Sequence, residues 1–132
     1  MTEYINIKSS QRSEFIDITA TIERLVQDRN ISDAVCHLFV PHTTAAVTIN
    51  EGADPSVKRD ILAALDKLVP HKGDYHHIEG NSDAHIKATL TGSSETIFIE
   101  KGTLLLGTWQ AIYFCEFDGP RSRQLMVKIT ES

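Results

Sequence analysis

The segment TWQAIYFCEF, residues 108–117, is the longest stretch of this sequence with the composition of a β-strand. When alternate residues are assigned to opposite faces, both faces are largely apolar. Such a strand is buried on both sides. Gln110 and Glu116 would then be buried polar groups that need partners, supplied by a polar pocket or by a subunit interface.

Further strand patterns lie on both sides of this segment. Tyr4–Lys8 and Glu14–Ile18 alternate with period two around a polar turn and predict an N-terminal hairpin. Asp118-Gly119-Pro120 ends the long strand, and short turns between consecutive strands favour antiparallel pairing. The remaining predicted strands are Ala34–Val40, Ala45–Ile49, His85–Leu90, Thr96–Ile99 and Gln124–Ile129.

Two segments change to helical spacing. The first runs from Thr19 to Asn30, and the second follows Asp54 and Pro55, a good cap and a good first residue, and ends near Leu68. About eight strands and two main helices predict an α+β fold with a mostly antiparallel sandwich or barrel-like sheet. We expect the helices on one side of it.

Length and composition exclude several classes of protein. The 132 residues favour a single domain, and 41% hydrophobic with 23% charged residues is typical of a folded chain. A formal net charge of -5 argues against nucleic-acid or anionic-membrane partners, and no apolar run is long enough for a membrane helix. The lack of a signal-peptide pattern and two cysteines in apolar segments predict a cytoplasmic protein with reduced, buried thiols.

Histidines cluster in YHHIEGNSDAHIK, residues 75–87, where small and acidic residues separate three imidazoles. Together with His42, which follows Pro41 at a strand end, His77 and His85 could bind a divalent, zinc-like metal ion. His76 competes with His77 for this role. The spacing matches no established metal signature, so ordinary loop histidines are the alternative.

Charged residues near these histidines extend the candidate site. Glu51 follows a strand, precedes a glycine, and could project into the same pocket as His42, whereas Glu79 and Asp83 could orient an imidazole or act as a base. Arg121 and Arg123 suit the capture of phosphate or carboxylate, although a structural tie to Asp118 fits them equally well. With Lys87 and the donors of residues 92–94, they predict a small anionic ligand.

Three motifs, HTTAAVTINE (42–51), HIEGNSDAHIKATLTG (77–92) and GTWQAIYFCEFDGPRSR (107–123), together resemble the YjbQ family, also labelled secondary thiamine-phosphate synthase. The resemblance implies an α+β homotrimer with a site near the subunit boundary. Its histidines would be His42, His77 and His85, and its polar residues Asn50, Glu51, Asn81, Gln110 and Arg121.

The activity implied by this resemblance is the joining of a pyrimidine-methyl pyrophosphate to a thiazole phosphate, with release of pyrophosphate. We therefore predict catalytic roles for three residues and ligand binding by three more: Glu51, Gln110 and Arg121 in the first group, Lys87, Asn81 and Arg123 in the second. A metal-dependent hydrolase of a small phosphate or carboxylate compound and a non-catalytic trimeric binder of an anionic metabolite are the alternatives, because three histidines suit zinc better than magnesium.

Overall fold

Two antiparallel sheets form the framework of the computed structural model, which describes residues 1–132. The five-stranded sheet has the order β1-β8-β3-β5-β6 and the three-stranded sheet the order β2-β7-β4. The elements are β1 (Thr2–Lys8), β2 (Glu14–Asp17), α1 (Thr19–Arg29), β3 (Ala34–Phe39), β4 (Ala45–Glu51), α2 (Pro55–Leu68), α3 (Ser82–Thr91), β5 (Ser94–Glu100), β6 (Thr103–Leu104), β7 (Gln110–Glu116) and β8 (Ser122–Glu131). The predicted α+β class is therefore confirmed, and no helix is long and apolar enough to cross a membrane.

Strand β7 is the central strand of the smaller sheet, and both of its faces are buried from Ala111 to Glu116 as its sequence predicted. The predicted burial of Gln110 is wrong, because this residue is exposed at the start of the strand. Ile112 and Phe114 join the larger core, which lies between the sheets and includes Ile22 and Val26 of α1. The opposite face of β7, with Tyr113, joins a second core that includes two alanines of α3 and residues of β2 and β4. The smaller sheet is thus covered by the larger sheet on one side and by helices on the other.

The predicted N-terminal hairpin is wrong. β1 pairs with β8 and β2 pairs with β7, so the two strands belong to different sheets. The polar residues between them carry the chain from one sheet to the other, and residues 117–121 make a second crossing beside the first. Both strands have the alternation of a half-buried strand, but alternation does not reveal which partner a strand pairs with.

The two crossings are tied together by hydrogen bonds. Ser9 donates its main-chain N–H to the Arg121 carbonyl, 3.0 Å away, and its hydroxyl to Glu116 Oε1 at 2.7 Å. The Gly119 N–H donates to the Arg12 carbonyl at 3.0 Å. The same crossing region binds Arg121 and Arg123, two of the three cations that the sequence predicted to contact an anionic ligand.

Both predicted helices are confirmed. Asn30 ends α1 in the left-handed conformation, with φ of 51°. Asp54 caps α2 by accepting a hydrogen bond from the Ser56 N–H, and Pro55 is its first residue. The apolar stripe of α2 is only half-buried, since Ile61 and Leu65 are intermediate in exposure and Leu68 is 70% exposed.

A third helix, α3, replaces the strand predicted for His85–Leu90. In the helix, Ala84 and Ala88 lie one turn apart on the buried face. A strand would have placed His85 and Lys87 on the same face, which the helix does not. Asn81 precedes the helix and Gly92 ends it with φ of 103°. This change of element decides which side chains line the site.

Candidate functional site

A cleft lies between the start of β4 and helix α3. His42, from the β3–β4 connection, and His85, from the first turn of α3, line it from different elements, and its volume is about 440 Å³. Three hydroxyl groups and two alanines complete the wall together with a glycine: Thr43, Thr89, Ser93, Ala45, Ala88 and Gly92. The lining therefore combines two imidazoles with uncharged hydrogen-bonding groups.

His77 lies against His85, with ring centroids 5.4 Å apart and the ring planes perpendicular. His85 also lines a second groove of about 390 Å³ on the other side, where Tyr75, His76 and His77 form part of the wall. His85 therefore separates two grooves. Of the two adjacent histidines, His76 and His77, it is His77 whose ring contacts the ring of His85.

His42 accepts a hydrogen bond from the main-chain N–H of Gln124, with 2.9 Å between that nitrogen and Nε2. Strand β3 ends at Phe39, which pairs with Met126, so β8 extends beyond its neighbour at this point. The His42 imidazole therefore accepts the hydrogen bond that a main-chain carbonyl would have accepted if β3 had continued past Phe39. Partial burial lowers the pKa of His42, and the nearby guanidinium of Arg123 lowers it further.

The three predicted metal ligands do not form a three-ligand group within one chain. No group of three histidine, cysteine, aspartate or glutamate side chains is close enough to share a metal ion. His77 and His85 are neighbours, but the Nε2 lone pair of His42 is occupied by the Gln124 N–H. The donor set therefore does not fit a three-histidine zinc centre in the single chain.

Arg123 is directed away from solvent and into a buried ion pair. Its Nε and Nη2 donate to the two carboxylate oxygens of Glu116 at 2.9 and 2.5 Å, and Nη2 also donates to the hydroxyl of Thr44 at 2.8 Å. This pair supplies the partner that Glu116 needs. Arg123 contributes positive potential near His42 while its hydrogen bonds are made inside the protein.

Arg121 makes the structural tie to Asp118 that the sequence offered as an alternative. Its Nε donates to the Asp118 carbonyl and its Nη2 to Asp118 Oδ2, both at 2.8 Å. The side chain is 52% exposed, so part of the guanidinium still faces solvent. Asn81 donates to the same carboxylate oxygen at 2.8 Å, and its own Oδ1 is buried without a partner.

Lys87 is 3% exposed on α3, and its ammonium lies 2.5 Å from Asp66 Oδ1 of α2 and 3.8 Å from Asp83. Asp83 is itself buried and receives a hydrogen bond from Arg12 at 3.1 Å. These contacts hold α3 against α2 and the crossing segments. Lys87 and Asp83 therefore act as internal ties in this chain rather than as open site groups.

Glu51 and Gln110 lie at the far end of the same sheet. Glu51 is the last residue of β4 and pairs with Gln110, the first residue of β7, whereas His42 precedes the first residue of β4. At the rise of a β-strand, the length of β4 separates the two ends by about 20 Å. The expectation that Glu51 projects into the pocket of His42 is therefore wrong within one chain.

The hydroxyl groups of the cleft were not singled out from the sequence, apart from Ser93. Thr43 follows His42 in the polar break after Pro41, so its position was a usable signal. Thr89 reaches the cleft because it lies one helical turn after His85, and its hydroxyl donates to the His85 carbonyl at 3.0 Å. That proximity depends on α3 being a helix.

Comparison with known proteins gives a consistent set of relatives. A family model described as "UPF0047 protein YjbQ-like" matches residues 3–132. The UPF0047 protein of Methanocaldococcus jannaschii is 53% identical over 123 residues, which are 93% of this chain and 89% of the relative. The UPF0047 protein YugU of Bacillus subtilis is 47% identical over 131 residues, or 98% of each chain.

Solved structures agree with the fold. The crystal structure of an uncharacterised YjbQ/UPF0047 protein from Clostridium acetobutylicum matches with a TM-score of 0.94 and 57% identity, covering 96% of this chain and 98% of the other. A protein of unknown function from Sulfolobus solfataricus matches with a TM-score of 0.94 and 32% identity, covering 100% and 97%. None of these four names states an activity.

Proposed function

This chain belongs to the YjbQ-like UPF0047 family, and we propose that it is a transferase whose His42–His85 cleft binds a small substrate through its phosphate groups. The proposed reaction joins a pyrimidine-methyl pyrophosphate to a thiazole phosphate and releases pyrophosphate. The observation that carries the proposal is the lining of the cleft, in which two imidazoles and three hydroxyl groups surround a volume of about 440 Å³.

These groups suit a phosphate ester. Thr43 and Ser93 can each donate an O–H to a phosphate oxygen, and a neutral or protonated imidazole can donate an N–H. Thr89 can donate as well once its single O–H turns from the His85 carbonyl to the ligand. Two guanidiniums, those of Arg123 and Arg121, lower the pKa of His42 and favour an anion at the same place, while the Glu116 carboxylate paired with Arg123 acts in the opposite direction. The cleft thus offers donors without an exposed carboxylate on its wall.

The chemistry requires one bond to break and one to form. The C–O bond between the pyrimidine methylene and pyrophosphate breaks, and the electron pair leaves with pyrophosphate. The ring nitrogen of the thiazole phosphate donates its lone pair to the methylene carbon and gives the thiazolium product. Donors positioned at the departing oxygens stabilise the charge that develops there, which is the part of the reaction that His42, His85 and the hydroxyl groups would assist.

Glu51 and Gln110 enter this proposal only through a second copy of the chain. Because they lie about 20 Å from His42 along β4, one chain cannot bring them to the same substrate. We propose that the homotrimer implied by the family resemblance places the Glu51–Gln110 end of one protomer beside the His42 end of its partner. Trp109, 64% exposed next to Gln110, would then be covered at that boundary.

A second candidate function is a non-catalytic binder of a small phosphate-bearing metabolite. It is favoured by the state of the three predicted cations, since Arg121, Arg123 and Lys87 are each held in an internal ion pair. A site with few free cations is better suited to recognising an anion than to stabilising a departing pyrophosphate.

The test is a turnover assay with purified protein, both substrates and magnesium. The transferase proposal expects thiamine phosphate and pyrophosphate in equal amounts, with turnover reduced at least about 100-fold in His85→Asn, as for loss of a positioned proton donor. His37→Asn is the matched control, because His37 is exposed on β3 and outside the cleft. Substrate binding without any product would replace the transferase by the binder, and equal turnover in the two variants would place the reaction outside the cleft.

A further inference from the structure

The His42 side chain makes a single hydrogen bond in the chain, the one accepted by Nε2 from the main chain of Gln124. We propose that this bond locks His42 as a neutral imidazole with its proton on Nδ1, so that it serves the cleft as an N–H donor to an anionic ligand and not as a metal ligand. The inference rests on the proposed function only for the identity of the ligand; the tautomer and the exclusion of metal follow from the bond itself.

The tautomer follows from the donor. A main-chain amide can only donate, so the ring nitrogen 2.9 Å from it must present a lone pair. A neutral imidazole carries one proton, and with Nε2 accepting, that proton belongs to Nδ1. Burial and the Arg123 guanidinium lower the pKa of His42, which agrees with a neutral ring.

The same bond conflicts with metal binding through either nitrogen. Coordination through Nε2 would use the lone pair that accepts the Gln124 N–H. Coordination through Nδ1 would move the single proton of the neutral ring to Nε2, where it would face the amide hydrogen of Gln124 across 2.9 Å. Each mode therefore requires the ring to leave the edge of β8.

The Nδ1–H that remains has no acceptor within the chain. The ring lines the His42–His85 cleft and also a larger depression of about 610 Å³ bordered by Lys8 and Ser122. A donor that is neutral at physiological pH can bind a phosphate oxygen without first taking up a proton. His42 would thus supply a permanent donor to the cleft.

The proposal is tested by a long-range ¹H–¹⁵N correlation spectrum of the full-length protein with ¹⁵N-labelled histidine at pH 7.5, with His42→Gln to assign the ring. We expect the pattern of a protonated Nδ1 and an unprotonated Nε2 for His42. Added Zn²⁺ is expected to leave both His42 nitrogens unshifted, and added pyrophosphate is expected to shift Nδ1. A protonated Nε2, a Zn²⁺-induced shift at His42, or no response of Nδ1 to saturating pyrophosphate would each overturn it.

These readouts separate this inference from the proposed function. The tautomer and the response to Zn²⁺ are measured without substrate, so a protein that produces no thiamine phosphate can still satisfy them. Conversely, an active protein whose His42 nitrogens shift with Zn²⁺ would keep its function and lose this assignment. The His37 resonances of the same spectrum provide an internal control for nonspecific metal binding, since His37 is exposed on the outer face of β3.

Discussion

The guanidinium of Arg123 and the carboxylate of Glu116 form a two-point ion pair at the corner where the chain passes between the two sheets. Nε and Nη2 of Arg123 lie 2.9 and 2.5 Å from the two oxygens of Glu116, with both side chains almost completely buried. Strand β7 belongs to one sheet and β8 to the other. The ion pair therefore links the two sheets close to His42, which lines the same depression as Arg123.

Removing one member of this pair is predicted to be strongly destabilising. Glu116→Leu leaves the buried Arg123 charge without compensation and is expected to lower the free energy of unfolding by about 3–5 kcal/mol. The double variant Glu116→Leu, Arg123→Met removes both charges and is expected to lose less than the sum of the two single changes. Urea unfolding of all four proteins measures the coupling, and strict additivity would mean that the pair contributes nothing.

Acid should destabilise the protein through the same carboxylate. Burial alone would raise the pKa of Glu116, but hydrogen bonds from Arg123, the Asp118 N–H and the Ser9 hydroxyl outweigh it and lower the pKa. A carboxyl group with a lowered pKa in the folded state contributes stability above its unfolded pKa of about 4.3, and this contribution is lost as the pH falls through the folded pKa.

Thermal unfolding between pH 7 and pH 3 measures this effect. The decline in melting temperature below about pH 4.3 is expected to be shallower in the uncharged double variant than in the natural protein. Parallel curves for the two proteins would assign the acid sensitivity to other carboxyl groups.

Gly119 is predicted to be irreplaceable at the second crossing. A Cβ atom there would lie 2.2 Å from the Gln11 carbonyl oxygen, which belongs to the other crossing segment and cannot simply rotate away. Gly119→Ala is therefore expected to cost about 1–3 kcal/mol or more through overpacking. Gly107→Ala is the matched control, because its Cβ would meet only the flexible side chain of Gln110, at 3.2 Å. Equal melting temperatures for the two variants would contradict the close approach.

Substitution of Thr89 is predicted to weaken ligand binding without lowering the stability of the protein. Its exposed hydroxyl donates to the His85 carbonyl within α3, and alanine has the higher helix propensity. Thr89→Ala is expected to leave stability unchanged or raise it by about 0.5 kcal/mol, while weakening pyrophosphate binding by about 3- to 10-fold through loss of one hydrogen bond. Calorimetric titration and thermal melts check both, with Thr96→Ala on β5 of the five-stranded sheet as control. Undiminished binding would place Thr89 outside the ligand site.

The elements with a strong local signal were predictable from the sequence. Strand β7 has apolar residues on both faces, and α2 has both a cap at Asp54 and a proline at its first position, so pattern and propensity agree. In α3 they disagree. The alternation from His85 to Leu90 has the period of a strand, but Ala84 and Ala88 contact the core one turn apart.

The arrangement of the site depended on long-range pairing that no local pattern contains. That Glu51 and His42 lie at opposite ends of β4 follows from the register of β4 against β7. The ion pairs of Arg121, Arg123 and Lys87 likewise depend on which segments meet at the crossing and against α2. The residue types indicated an anion site, while only the fold separates the groups that line the cleft from those that hold it together.

A calorimetric titration of pyrophosphate into the natural protein, His85→Gln and His37→Gln tests directly whether the cleft binds an anion. If the cleft between His42 and His85 is the anion site, His85→Gln should weaken binding at least about 10-fold, equivalent to about 1.4 kcal/mol, and His37→Gln should bind like the natural protein. Unchanged affinity in His85→Gln, or the same loss in both variants, would show that this cleft is not the anion site.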